Sequence, residues 1–252
     1  MANQQSDEGF AILRMDDANL EATRVARVIA DPLGVTVADL AQAISERCGI
    51  LAENLTDSIA SHCIALLEAA GISARVVPQS AIVQPPEVVT LRSGRPDNDV
   101  FFYAAVHRKG VVKWPDAIWL DLVSVQEPSS EEFDDWELVE GGEGTRLRRF
   151  KNRRFVTKRS TFLDLVSREP WLLLRIPENG FQFAATALPS FPTRRENLIA
   201  LAAVIASHAT DAGLGPGLEW VDSQTPPRAH RVSSQAIYDG FLRWQLTRRF
   251  LG

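Results

Sequence analysis

The apolar residues of this chain change their spacing once, across the proline-punctuated segment 78–90. Before it, apolar residues recur at three- and four-residue intervals in three stretches, which predicts helices. After it, short runs rich in β-branched and aromatic residues alternate with turn signals, which predicts strands. The sequence therefore predicts an α+β protein, in which a small β-α-α-β-α-β domain is followed by a β-rich domain closed by a C-terminal helix.

The length of 252 residues suits one large domain or two small ones. The apolar content of 45% and the charged content of 23% are ordinary for a folded globular protein. Turn and linker signals divide the chain into a flexible tail at 1–9, an α/β domain at 10–77, a linker at 78–90, a β-rich domain at 91–212, and a loop with a C-terminal helix at 213–252.

The stretch "FAILRM" followed by three helical patterns, and above all "LEAAGISARVV", resembles the C-terminal domain of the bacterial ribosomal stalk protein. That fold is shared with the adaptor of the Clp protease, and the resemblance implies the same fold for residues 10–77. In the stalk family this domain recruits translation GTPases through a lysine-rich helical face. Residues 1–77 have no lysine and carry 5 arginines against 11 acidic residues. The resemblance thus predicts a fold and a protein-docking role without ribosomal function.

In the second half, strands followed by one helix at residues 88–212 resemble a pleckstrin-homology-like domain, whose barrel is plugged by a helix. Asn179-Gly180, between "LLLRI" and "FQF", predicts a type I′ hairpin. The final stretch 233–250 predicts a helix with Ile237, Phe241 and Trp244 on one face. We expect this helix to dock on its own domain or on a second subunit, with an interfacial membrane helix as the alternative.

The strongest chemical signal is a run of eight basic residues at 146–159 directly after eight acidic residues at 127–143. Three interpretations are open: a nucleic-acid grip, a charged hairpin or self-paired loop, and an acidic flap that screens the basic residues. An equal acidic run nearby would cancel the field that a nucleic acid needs, so we favour the charged hairpin. The candidate interaction surface comprises Arg146, Arg148, Arg149, Phe150, Lys151, Arg153, Arg154 and Phe155.

Signals of catalysis are poor. His62 and Cys63 are neighbours on a predicted helix and face different directions, so they do not form a catalytic pair. The chain has only 2 cysteines and no metal-ligand spacing, and "GLGPG" at 213–217 follows a helix and is a turn. We therefore predict no catalytic residue, no metal and no cofactor, and we expect that the protein is not an enzyme.

The N-terminus has no signal-peptide pattern and no run of 18 apolar residues occurs, so we expect a cytoplasmic protein with no transmembrane segment. The net charge of −5 argues against a general polyanion binder. The predicted function is a non-enzymatic protein-interaction or structural module whose partner is another protein or a second copy of the chain. The alternative is a nucleic-acid- or ribosome-associated protein that uses the basic stretch 146–159.

Overall fold

A computed structural model describes residues 9–16, 21–141, 144–221 and 227–252, with the backbone alone at 137–148. The predicted flexible tail lies outside the described residues except for Gly9. The α+β class, the β-α-α-β-α-β order of the first part and the closing C-terminal helix are all confirmed.

The first part is a three-stranded antiparallel sheet in the order β2-β1-β3, covered by three helices. Its elements are β1 (Phe10–Arg14), α1 (Ala22–Leu33), α2 (Val37–Arg47), β2 (Ile50–Leu55), α3 (Asp57–Ala69) and β3 (Ala74–Pro78). Local chemistry sets the helix ends, because the Thr36 side chain accepts the Asp39 N–H at 3.1 Å and Gly71 follows α3 with φ 69°. The apolar stripes of the three helices meet in one core cluster.

The second part is a mixed sheet of eight strands within the described residues, in the order β10-β7-β8-β9-β4-β5-β6, with β11 beside β10 along β7. Its strands are β4 (Val88–Pro96), β5 (Val100–Ala105), β6 (Lys109–Lys113), β7 (Ala117–Gly141), β8 (Gly144–Ser167), β9 (Leu172–Pro177), β10 (Gly213–Leu214) and β11 (His230–Val232). Parallel pairing joins β4 to β9 and joins both short strands to β7, whereas the other pairs are antiparallel.

A helix covers each face of this sheet. One is α4 (Arg194–His208), which starts at a complete capping box between Thr193 and Glu196 and packs its apolar stripe on one face. The other is α5 (Gln235–Leu251), which packs on the opposite face. Successive residues of β7 alternate between the two, so Leu120 faces α4 and Trp119 faces α5.

The predicted hairpin at Asn179-Gly180 is wrong. Gly180 has a φ of 89°, but Asn179 does not have the positive φ that a type I′ turn needs. The chain leaves β9 through a turn and forms a short 3-10 helix at Phe183–Thr186. The reason is the sheet order: β9 is already hydrogen-bonded to β8 on one side and to β4 on the other, so no edge is open to a returning strand.

The two parts share the helix α5, which packs on the first sheet as well as on the second. The Trp244 indole N–H donates to the Arg14 carbonyl at 3.0 Å, and Arg243 makes a two-pronged ion pair with Glu53 at 2.6 and 2.9 Å. Residues Ala11, Leu13 and Ile50 belong to the same core cluster as α5. The segment predicted as a linker, 78–90, is itself packed, with Ile82 buried in that cluster.

Among the helices that the structure describes, none is by itself long and apolar enough to cross a membrane.

Candidate functional site

The two long strands β7 and β8 form an arm that leaves the sheet. Residues 117–125 and 162–167 pair with neighbouring strands, whereas in the described residues 126–141 and 144–160 pair only with each other. At the usual strand rise, the arm from residue 126 to its tip is roughly 50 Å long. We define the arm as residues 126–141 and 144–160, and it contains the whole predicted interaction surface.

The acidic and basic runs are directly opposed along the arm. Glu131 faces Arg154 and Glu132 faces Arg153 in the ladder, and the carboxylate–guanidinium distances of these pairs are 3.0 and 2.9 Å. Lys151 lies 3.6 Å from Glu132, and Arg149 forms an ion pair with Asp134. The structure thus has a charged, self-paired hairpin, which is the interpretation that the sequence favoured. The acidic strand is the ladder partner of the basic strand and not a loose flap over it.

The structure places the eight residues of the predicted surface on the single strand β8. Arg146 and Arg148 lie near the tip, and their side chains are outside the described part. The described side chains divide between the two faces of the arm by strand alternation. Arg149, Lys151, Arg153 and Phe155 share one face, whereas Phe150 and Arg154 lie on the other. The predicted residues therefore do not form one surface.

The two faces of the arm differ in charge. The first, which we call the basic face, has a net charge of +2 within the described side chains; it comprises Gln126, Pro128, Ser130, Glu132, Asp134, Trp136, Arg149, Lys151, Arg153, Phe155, Thr157 and Arg159. The second face has two basic and three acidic side chains, a net charge of −1; it comprises Glu127, Ser129, Glu131, Phe133, Asp135, Phe150, Asn152, Arg154, Val156 and Lys158. The observed ion pairs join only side chains of the same face, which supports this assignment.

Two large aromatic side chains of the basic face are open to solvent. Phe155 is 90% exposed and Trp136 is 58% exposed. On the other face, Arg154 lies over the Phe133 ring at 5.9 Å, so that ring is partly covered. Apolar surface held away from the core in this way is typical of a site that another molecule covers.

A second polar feature was missed by sequence reasoning: a row of charged residues buried under α5. Asp121 on β7 and Asp164 on β8 are opposed in the ladder and both fully buried. Asp164 accepts two hydrogen bonds from Arg175 on β9, at 2.9 and 2.7 Å. Asp121 Oδ2 is hydrogen-bonded to His230 Nδ1 at 3.0 Å, and its other oxygen accepts the Gly217 N–H at 2.9 Å.

Tyr238 of α5 lies over this row, with its ring edge-on to Phe162 and His230. Burial raises the pKa of both carboxylates, while Arg175 and His230 oppose that shift from either end. Burial and the two carboxylate charges raise the pKa of Tyr238 well above its ordinary value. The row therefore joins three strands and α5 in a single buried network.

One sequence signal marks this row. The string "LDLVS" occurs at 120–124 and again at 163–167, and in each copy one carboxylate interrupts an apolar run of strand character. An aspartate on the buried face of a strand needs a partner, so each copy predicts a buried polar contact. The partners Arg175, His230 and Tyr238 come from three other elements and carry no comparable signal.

Both cysteines have free thiols, and burial raises the pKa of each, that of Cys48 to about 11. No group of three or more His, Cys, Asp or Glu residues that could hold a metal ion occurs in the described ranges. His208, predicted as a packing residue, stacks on Trp114 with ring centroids 5.1 Å apart.

Comparisons with known proteins give no relative: no protein-family model, no curated protein and no solved structure matches the chain.

Proposed function

We propose that this protein is a non-enzymatic protein-interaction module and that its arm is the docking element. The observation that carries the proposal is the pair Trp136 and Phe155, exposed on the basic face of an arm whose strands pair only with each other within the described residues. Exposed aromatic side chains on a rigid strand lose little conformational entropy on binding. The proposal assigns no catalytic residue and no cofactor, and it places the protein in the cytoplasm, where its free thiols stay reduced.

The charges of the arm favour a protein partner over a nucleic acid. Each described ion pair of the basic face brings a carboxylate to within 4 Å of a cation, and Glu132 serves both Lys151 and Arg153. A phosphate backbone would meet those carboxylates at the same distance as the cations, which reduces the net attraction. A protein surface with an apolar pocket and an acidic rim matches both the aromatic pair and the net charge of +2 on this face.

The resemblance of residues 10–77 to the ribosomal stalk domain agrees with a docking role and stays part of the proposal. The order of strands and helices in that part is the order that the resemblance implies. A second copy of the chain is the other partner considered, because a long arm can also be exchanged between copies.

Site-specific photo-crosslinking tests the proposal. A photoreactive phenylalanine analogue replaces Phe155 on the basic face in one variant and Phe133 on the opposite face in a matched control. Both variants are irradiated in the source cells, and the lysates are analysed by mass spectrometry with and without nuclease. We expect a nuclease-resistant protein crosslink from position 155 that is absent from position 133, and its loss when Trp136 is changed to Ser.

Two outcomes contradict the proposal. Equal crosslinks from both positions would show that the basic face is not a specific surface. Crosslinks that vanish with nuclease would instead make the protein nucleic-acid- or ribosome-associated. A crosslink to the chain itself would identify a second copy as the partner.

A further inference from the structure

A cleft of about 740 Å³ opens between the first part of the molecule, the sheet of the second part and α5. Its walls include Ser45 of α2, Trp119 of β7, His230 of β11 and Trp244 of α5. This volume is typical of small-molecule sites, which often lie where two parts of a protein meet. The cleft is separate from the arm, and the proposed docking role does not use it.

The polar groups around the cleft are mainly donors. Arg14 and Arg248 line it, and their guanidinium groups lie over the Trp244 ring at 4.9 and 5.0 Å. His230 also lines it and is held from behind by Asp121, at 3.0 Å from its Nδ1 atom. The one carboxylate in the lining is that of the exposed Glu219, so cationic side chains outnumber anionic ones.

A buried donor without a partner points to a ligand in the same place. Trp119 is 6% exposed and lines the cleft, and its indole N–H has no hydrogen-bond acceptor among the described residues. Buried donors are almost always paired, so an unpaired one in a cleft wall indicates an acceptor that a bound molecule supplies. The rings of Trp119, Phe241 and Trp244 supply an aromatic wall for the apolar part of that molecule.

We propose that this cleft binds a small organic anion with a flat apolar body, in which the aromatic wall takes the body and Arg248 and His230 face the carboxylate or phosphate group. Guanidinium groups suit such oxyanions because several N–H donors lie in one plane. The Arg14–Trp244–Arg248 stack holds one cation at each of two positions beside the ring, which fixes where the anionic group lies.

Titration calorimetry of the full chain tests the site, with 2-naphthoate as the probe and the uncharged 2-naphthamide as its neutral match. We expect saturable binding of one naphthoate per chain and binding of the amide that is at least about tenfold weaker. Arg248→Gln should weaken naphthoate binding about tenfold, because it removes the guanidinium and retains a polar side chain.

Matched variants separate loss of the site from loss of the fold. Ser45→Trp places a ring in the cleft from the exposed side of α2 and should abolish binding, whereas Gln42→Trp on the same helix lies outside the lining and should leave it unchanged. Arg168→Gln removes another guanidinium stacked on an aromatic ring, that of Phe250, and should also have no effect. Equal affinity for naphthoate and naphthamide, unchanged binding in Arg248→Gln, or no saturable binding of naphthoate would each overturn the proposal.

Discussion

At the scale of single residues, two glycines allow α5 to lie close to the first part of the molecule. A Cβ on Gly240 of α5 would collide with the Glu46 carbonyl oxygen at the end of α2, and a Cβ on Gly49 would enter the Trp244 indole. These positions have no room for a side chain, and the first of them faces backbone, which cannot rotate away.

Gly240→Ala therefore tests how tightly the helix is docked. In a helix interior the change favours folding by about 0.5–1 kcal/mol, but overpacking against backbone costs about 1–3 kcal/mol. We expect the collision to dominate, so that the free energy of unfolding measured with urea falls. Gly9→Ala is the control, because its Cβ would lie at an ordinary 3.5 Å from Asn54 Cα. A Gly240→Ala protein as stable as the wild type would show that α5 is loosely held.

Single residues also show where sequence reasoning ends. Thr36, Gly71 and Thr193 were predicted at helix ends and are found there, because capping depends on neighbours within a few residues. Asp121 and Asp164 are recognisable as unusual in an apolar run, but their partners lie up to 109 residues away in the chain. Spacing along the sequence carries no information about such contacts.

At the scale of elements, the Glu53–Arg243 pair joins β2 to α5 and makes the junction sensitive to acid. Burial alone would raise the pKa of Glu53, but hydrogen bonds from Arg243 and Gln79 outweigh it and lower that pKa below its ordinary value of 4.5. A carboxylate with a lowered pKa in the folded state stabilises the fold above its unfolded pKa, and this contribution is lost as the pH falls through the folded value.

We expect wild-type stability to fall on acidification below pH 4.5 and to fall less in Glu53→Gln, which has no charge to lose. Urea unfolding at several values between about pH 6 and pH 3 measures this difference. Glu68→Gln, on the exposed side of α3, is the matched control and should keep the wild-type slope. The same slope in both variants would mean that the pair does not contribute to stability.

The arm shows which part of the interaction surface the sequence could predict. The equal and adjacent charge runs predicted a self-paired hairpin, and the structure has one. The register was not predictable, and in a strand a shift of one residue moves every side chain to the other face. For that reason the sequence could name Phe150 and Phe155 together but could not show that they lie on opposite faces.

At the scale of the whole molecule, the sequence predicted two successive domains, and the structure joins them through the last helix. The elements of residues 10–77 follow from local patterns, so their order was predictable. The contact between Trp244 and Arg14 spans 230 residues, and no local pattern indicates it. An amphipathic last helix was expected to dock, but its sequence does not say on which surface, and α5 in fact contacts both sheets.

Because α5 shares one core cluster with both sheets, the two parts should unfold together. Trp244→Ala removes the largest shared side chain and should destabilise the protein by about 3–5 kcal/mol. Hydrogen exchange of the Ile29 amide in α1 and the Leu165 amide in β8 reports on the two parts separately. We expect both amides to lose the same protection in Trp244→Ala and neither to change in the control Trp136→Ala, whose ring is 58% exposed on the arm. If Leu165 lost protection while Ile29 kept it, the first part would be an independent domain, because its core would then be stable without α5.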